Sequence, residues 1–137
     1  MNNLPLTSTF ASLFTLFYLF LSFRIGYFRG SPVMKLIFKM GEEIPEIKLH
    51  RNVRAHGNFS EYVPIFLVLL LIIETLGQSS FDYLLMTCLI FSYGRLAHAI
   101  CFAFYGSNPF LRISGMLCTY LGLGIFAGQL LWEAIRG

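Results

Sequence analysis

Four polar residues between positions 51 and 61 have the spacing of one helical face. The intervals between them are three, four and three residues, and they are Arg51, Arg54, Asn58 and Glu61. Residues three or four apart lie on the same side of an α-helix. Guanidinium groups bind carboxylates through charge-assisted hydrogen bonds, so this face has the groups to hold a small anionic ligand.

More polar residues follow inside segments that are otherwise apolar. Arg95 and His98, in the sequence GRLAH, are three residues apart, and Arg112 follows a turn-forming Pro109. A charge at the bilayer centre costs about 2.5 kcal/mol or more on insertion scales, so such residues normally turn inward and pair. Because the arginines in these positions outnumber the carboxylates, the arrangement leaves room for an anion.

Each of these residues also has a simpler explanation when taken alone. The three arginines Arg51, Arg54 and Arg112 would serve as anchors to lipid headgroups. His98 would make an interhelical hydrogen bond, and Glu61 would neutralise Arg95. It is their expected convergence at one membrane depth that favours a binding site.

The composition indicates which structure must position these groups. Of the 137 residues, 56% are hydrophobic and 12% are charged, whereas soluble domains carry about 25% charged residues. A chain this short cannot bury so much apolar surface in one aqueous core. We therefore predict a single all-α domain over residues 1–137, an integral membrane four-helix bundle.

Four segments are long and apolar enough to cross a bilayer, which takes about 20 residues. The predicted spans are residues 4–23, 58–77, 81–105 and 110–135. Glycine, serine, asparagine and proline at 77–80 and 106–109 predict tight turns between the last three spans. Small residues on the fourth span, among them Gly115, Thr119, Gly124 and Gly128, predict close helix packing.

The basic residues indicate the orientation. Seven of the ten Lys and Arg lie in the predicted loop 24–57, and positively charged loops stay cytoplasmic. Both termini are therefore expected to face away from the cytoplasm. No nucleic-acid motif is present, so we expect no nucleic-acid partner. The three cysteines do not cluster with histidine at ligand spacing, so no metal site is expected.

The polar segments resemble a known family, the membrane-associated proteins in eicosanoid and glutathione metabolism (MAPEG). The resemblance rests on RNVRAHGNFSEYVP at 51–64, GRLAH at 94–98, LRISG at 111–115 and the ending LLWEAIRG. It implies a homotrimer of four-helix subunits that binds glutathione near the cytoplasmic side between subunits. Gly57, Phe102, Ile113 and Met116 replace polar residues of the eicosanoid synthases, so the chain looks more like a small bacterial member, expected in the inner membrane.

The resemblance also implies roles for individual residues. Arg51, Arg54, Asn58, Glu61, Arg95 and His98 would bind glutathione as the cosubstrate, with Arg24 as a weaker candidate and Glu61 as the partner of its amine. Arg112 would lie beside the sulfur as the catalytic residue. A cation there favours the thiolate, which is the nucleophile.

Three functions are compatible with these observations. The first is a membrane glutathione transferase that attacks a lipophilic electrophile, with peroxidase activity as a further reaction and detoxification as its role. The second is a non-catalytic protein of the same fold that binds a lipophilic ligand. The third is a small transporter or channel component, against which the spans show no inverted repeat.

Overall fold

The computed structural model describes residues 4–38, 45–106 and 108–137. The described part of the chain is helical, with elements in the order α1 (Pro5–Phe28), α2 (Pro32–Phe38), α3 (Glu46–Leu76), α4 (Phe81–Ile100), a π-helical turn (Cys101–Tyr105) and α5 (Pro109–Arg136). Four of these helices are long and apolar enough to cross a membrane. The third span consists of α4 and the π-helical turn, Phe81–Tyr105. The predicted all-α membrane bundle is confirmed.

Local sequence signals set the ends of these helices. Pro5 and Pro109 begin α1 and α5, positions where the missing amide costs nothing. The Ser80 and Asn108 side chains accept hydrogen bonds from the first turns of α4 and α5. Gly77 ends α3 with a φ of 67°, a left-handed conformation that glycine adopts without strain.

Two helices extend beyond the predicted apolar spans. Helix α1 continues to Phe28 rather than ending at residue 23, and α3 begins at Glu46, so it contains the helical face predicted from Arg51 onward and extends five residues further. The predicted loop 24–57 is therefore mostly helical; its residues 39–44 lie outside the described part of the chain, as does residue 107 of the predicted turn 106–109. Hydropathy falls where charged residues begin, but Arg, Lys and Glu are good helix formers, so the helices continue.

The long helices alternate in direction. At one end, Arg24 near the end of α1 contacts Asn52 near the start of α3. At the other end, the start of α1 contacts Glu74 near the end of α3. We call the first the basic end and the second the opposite end.

The interior is built from aromatic rings and close helix contacts. Phe66, Phe91 and Phe126 from three helices are fully buried, and the Phe66 ring stacks on Phe91 at 3.8 Å and on Phe126 at 5.1 Å between centroids. Helices α4 and α5 meet at Gly94 and Gly115, where a Cβ atom would lie 3.0 Å or less from the facing backbone. The predicted close packing of small residues on α5 is therefore confirmed at Gly115. A Cβ atom at Gly124 or Gly128 would have no neighbour within 4 Å.

Glu74 caps the first turn of α1. Its two carboxylate oxygens accept the backbone amides of Leu6 at 2.9 Å and Thr7 at 2.7 Å. These amides have no partner inside the helix, and the N-terminal end of a helix attracts negative charge. Glu74 thus joins α1 to α3 at the opposite end.

We expect Glu74→Ala to destabilise the protein by about 2 kcal/mol, because two partly buried amides lose a charged acceptor. The melting temperature of the detergent-purified protein measures this effect. Thr75→Ala is the matched control, since the Thr75 hydroxyl bonds only to Leu71 of its own helix. Equal melting temperatures for the two variants would show that the cap contributes nothing.

Candidate functional site

Three of the predicted site residues meet around the ring of Phe102. The guanidinium carbon of Arg54 lies 4.9 Å from the ring centroid, and that of Arg112 lies 5.9 Å from it. The His98 ring is 4.9 Å away, centroid to centroid. These residues come from α3, α5 and α4, so the fold brings together groups that are far apart in sequence.

The local backbone at Phe102 is unusual. Helix α4 changes to a π-helical turn at Cys101–Tyr105, which contains Phe102. Such turns insert an extra residue and are frequent at functional sites. The Phe102 ring in this turn contacts both arginines as well as His98.

His98 is buried but not fully hydrogen-bonded. Its side chain is 4% exposed, and its Nδ1 atom has no hydrogen-bond partner among the described residues. A buried polar atom without a partner costs about 1–3 kcal/mol, so such atoms in native proteins call for an explanation. A bound ligand at this position would supply the missing partner.

Arg95 lies inside the bundle, 1% exposed. Its Nε donates to Thr119 Oγ1 at 2.8 Å, its Nη1 donates to the Asn58 carbonyl at 3.1 Å, and its guanidinium lies 4.7 Å from the ring of Tyr62. Arg95 therefore joins α4 to α3 and α5, and in a single chain its donors are directed at protein groups.

The alternative in which Glu61 neutralises Arg95 does not hold for the described residues. The one ion pair among the described residues joins His50 to Glu46 at 3.3 Å. The Glu61 side chain is exposed. Neutral oxygen atoms and the Tyr62 ring satisfy Arg95 instead. The Glu61 carboxylate, with no hydrogen-bond partner in the described chain, stays open to a ligand.

The Arg24 side chain is hydrogen-bonded to other parts of the protein at the basic end. Its Nε donates to Asn52 Oδ1 and its Nη2 to the Ala103 carbonyl, each at 2.9 Å, and the guanidinium lies 4.1 Å from the centre of the Phe104 ring. The end of a helix leaves carbonyl groups without amide partners, and a cation there is favourable. Arg24 thus ties α1 to α3 and to the π-helical turn.

Asn52 was missed by the sequence interpretation. It is 2% exposed, accepts from Arg24, and donates to the Lys48 carbonyl at 2.8 Å. A signal was available, because Asn52 continues the helical stripe of buried α3 residues one turn further, and the stripe contains Ala55, Phe59, Val63, Phe66, Leu70 and Ile73.

The remaining two predicted residues, Arg51 and Asn58, precede and follow Arg54 in α3. The Arg51 guanidinium covers Gly106, where a Cβ atom would lie 2.5 Å from Arg51 Nη1. The Asn58 amide donates to the Arg54 carbonyl at 2.9 Å. Of the predicted residues, Arg54, Glu61 and Arg112 are exposed, so a single chain leaves the site open on one side.

The arrangement suits an anionic ligand more than a metal ion. No group of three His, Cys, Asp or Glu residues within 4–38, 45–106 and 108–137 could hold a metal. Arg54 and Arg112 have no carboxylate partner within 4 Å in the same residues. Two uncompensated guanidiniums beside a buried imidazole can bind carboxylates or stabilise a negatively charged sulfur atom.

Comparison with known proteins identifies a family. The sequence model of the MAPEG family matches residues 7–132, nearly the whole chain. The curated proteins and the solved structures gave no match. Four membrane-spanning helices and this match together show that the chain is a multi-pass integral membrane protein of the MAPEG family, whose members act in glutathione and eicosanoid metabolism.

Proposed function

We propose that the protein is a membrane-bound glutathione transferase and that Arg112 stabilises the glutathione thiolate. The observation that carries the proposal is the meeting of Arg54, Arg112 and His98 around Phe102. The two arginines have no carboxylate partner among the described residues, so an anionic ligand would complete the site. Family membership agrees with glutathione as that ligand.

Glutathione has two carboxylates, one amine and one thiol, and the site offers a group for each. Arg54 and Arg51 would bind the carboxylates, and the exposed Glu61 would bind the amine. Asn58 would contribute polar contacts from the same face. Arg95 and Arg24, whose donors bond to the protein, would hold α3 in position.

The proposed reaction begins with loss of the thiol proton to water. Arg112 stabilises the resulting sulfur anion, which then attacks an electrophilic carbon of a lipophilic substrate that arrives through the bilayer. The new carbon–sulfur bond forms as the leaving group departs with its electron pair. In a peroxidase reaction, two glutathione molecules would reduce a hydroperoxide to an alcohol and water and form glutathione disulfide.

Other copies of the chain would complete the site. Arg54, Glu61 and Arg112 are exposed in one subunit, so one side of the proposed site lacks protein contacts for a ligand. A homotrimer in which a neighbouring subunit covers these residues would provide them. In the proposed orientation the basic end faces the cytoplasm of a bacterial cell, where glutathione is available.

A lipophilic-ligand-binding protein without catalysis is the second candidate. An apolar groove of about 380 Å³ between α1 and α3 favours it. Phe14, Tyr18, Phe59 and Pro64 are among its lining residues, and its volume is in the range of small-molecule sites. In the transferase the same groove would hold the electrophile.

Glutathione binding with thiolate detection separates the two functions. The detergent-purified protein should bind glutathione and produce the ultraviolet absorbance of the thiolate at neutral pH. S-methylglutathione, which cannot ionise at sulfur, is the control ligand. Binding without the thiolate signal would favour the non-catalytic protein, and an absence of binding in a well-folded oligomer would overturn both the glutathione site and the transferase.

A further inference from the structure

A pocket of about 300 Å³ lies at the basic end, between the last turns of α1 and the short helix α2. Aromatic rings of both helices line it, among them Phe20, Phe23 and Phe38. Among the described residues that line the pocket, only Arg24 is charged. The transferase reaction proposed above assigns no ligand to this pocket.

Helix α2 packs against the end of α1 and forms one wall of the pocket. The turn between the two helices contains Gly30, whose φ of 60° is a conformation that glycine adopts readily. The rings of Tyr27 and Phe38 then meet edge to face, with 5.4 Å between their centroids. Phe23 and Phe38 are 64% and 56% exposed, so the pocket opens to the surroundings of the span, which are lipid.

Arg24 has hydrogen-bond donors that its contacts with the protein do not use. Its Nε and Nη2 atoms donate to Asn52 and to the Ala103 carbonyl, and its Nη1 atom makes no hydrogen bond within the described residues. No carboxylate lies within 4 Å of Arg24 in the same residues. A guanidinium has five N–H donors and stays charged, so Arg24 can pair with an anion while both existing bonds are kept.

The charge around the pocket is positive. The Lys35 side chain lies over the turn between α1 and α2, with its Cε atom 3.2 Å from where a Cβ atom at Gly30 would be. The sequence contains no Asp or Glu before Glu42, so neither α1 nor α2 supplies a counterion. Lysine and arginine beside a membrane span attract anionic lipids. A ligand with an anionic group and an apolar chain would therefore complement the pocket.

The depth of Arg24 fits such a lipid. Arg24 lies about 6 Å before the end of α1, which is Phe28, and the end of a membrane span lies near the boundary between the hydrocarbon core and the headgroups. Phe20 and Phe23 precede Arg24 on α1 and so lie on its hydrocarbon side. The cation and the aromatic rings thus have the order of a phosphate and its acyl chain.

We propose that this pocket binds one anionic phospholipid from the leaflet at the basic end. The lipid phosphate pairs with Arg24 and Lys35, and one acyl chain lies against Phe20, Phe23 and Phe38. Phosphatidylcholine has the same phosphate, but its quaternary ammonium is repelled by the Lys35 cation. A preference for headgroups with a net negative charge therefore distinguishes this site from ordinary contact with the bilayer.

Native mass spectrometry of the detergent-purified full-length protein measures this binding. Phosphatidylglycerol and phosphatidylcholine with identical acyl chains compete at equal concentration. Phosphatidylglycerol should bind about tenfold more tightly, since each Lys or Arg near an anionic lipid strengthens binding by about fivefold, and the preferred binding should saturate at one lipid per chain. Equal binding of the two lipids, or a preference that does not saturate at one lipid per chain, would overturn the proposal.

Two variants separate the headgroup contact from the acyl-chain contact. Lys35→Gln should reduce the preference to about twofold, whereas Lys48→Gln should keep it, because Lys48 is an exposed lysine at the start of α3 that does not line the pocket. Phe38→Ala should weaken both lipids and keep the preference. Leu36→Ala is its control, since Leu36 is on α2, 82% exposed and outside the pocket.

A full preference in Lys35→Gln, or unchanged affinities in Phe38→Ala, would contradict the proposed contacts. Two soluble ligands test whether the occupant is a lipid. Glycerol 3-phosphate and glutathione, each at millimolar concentration, should leave phosphatidylglycerol bound, because the first lacks the acyl chains and the second has its proposed site around Phe102. Displacement by either ligand would overturn the assignment of this pocket to a bilayer lipid.

Discussion

Arg112→Ala should abolish glutathione thiolate formation and conjugation while the oligomer and its helical content persist. Arg112 is exposed and its described contact is with the Phe102 ring, so its removal breaks no buried hydrogen bond. A nearby cation changes the ionisation of a thiol by about one to three orders of magnitude. We therefore expect at least about tenfold less thiolate per bound glutathione at neutral pH. Ultraviolet difference spectra and size-exclusion chromatography measure the two properties.

Two matched variants distinguish the effect of positive charge at the sulfur from the loss of any arginine at the basic end and from weaker glutathione binding. Arg29→Ala removes an exposed arginine from the same end and should leave the thiolate signal unchanged. Glu61→Gln should weaken glutathione binding but leave the thiolate signal per bound molecule unchanged, because Glu61 is proposed to bind the amine. A normal thiolate signal in Arg112→Ala would disprove the role of Arg112 in activating the sulfur.

Gly94→Ala should strongly destabilise the bundle. A Cβ atom at Gly94 would lie 2.6 Å from the Thr119 backbone nitrogen and 2.8 Å from the Gly115 carbonyl oxygen. These are backbone atoms of α5, so the clash is relieved only if α4 and α5 move apart. Such a shift would also strain the 2.8 Å bond from Arg95 to Thr119. Overpacking of this kind costs about 1–3 kcal/mol, and we expect the melting temperature to fall by about 3 °C or more.

Gly26→Ala is the matched control for this substitution. Gly26 also lies within a helix, but its nearest neighbour would be the end of the Met34 side chain at 3.5 Å, an ordinary contact distance. The gain in helix propensity should make this variant as stable as the unmodified protein or more stable by up to about 1 kcal/mol. If both variants melt at the same temperature, the close approach of α4 and α5 is not what stabilises this region.

The fold class and the number of spans follow from local properties of the chain. Hydropathy identifies a membrane helix because each helix satisfies its own backbone hydrogen bonds, whichever helices surround it. The spacing of Arg51, Arg54, Asn58 and Glu61 could likewise be interpreted locally, since α3 contains all four. Helical periodicity assigns residues to a face, and that information is contained in the sequence.

What each helical face contacts depends on how the helices pack against one another. Arg95 and Arg112 have the same chemistry, yet Arg95 is buried with its donors on Thr119 and Asn58, whereas Arg112 is exposed beside Phe102. Similarly, Gly94 and Gly124 are both glycines within helices, but only Gly94 meets a facing backbone.

The capping role of Glu74 and the hydrogen-bond partner of Asn52 also depend on how the helices pack. Glu74 caps a helix that begins almost seventy residues earlier, since the Leu6 amide that it accepts is 68 positions before it, and Asn52 accepts from Arg24 on a different helix. Helical spacing is a local property with a period of 3.6 residues. It cannot specify which side chain of another helix completes a hydrogen bond, because that depends on how the helices pack against one another.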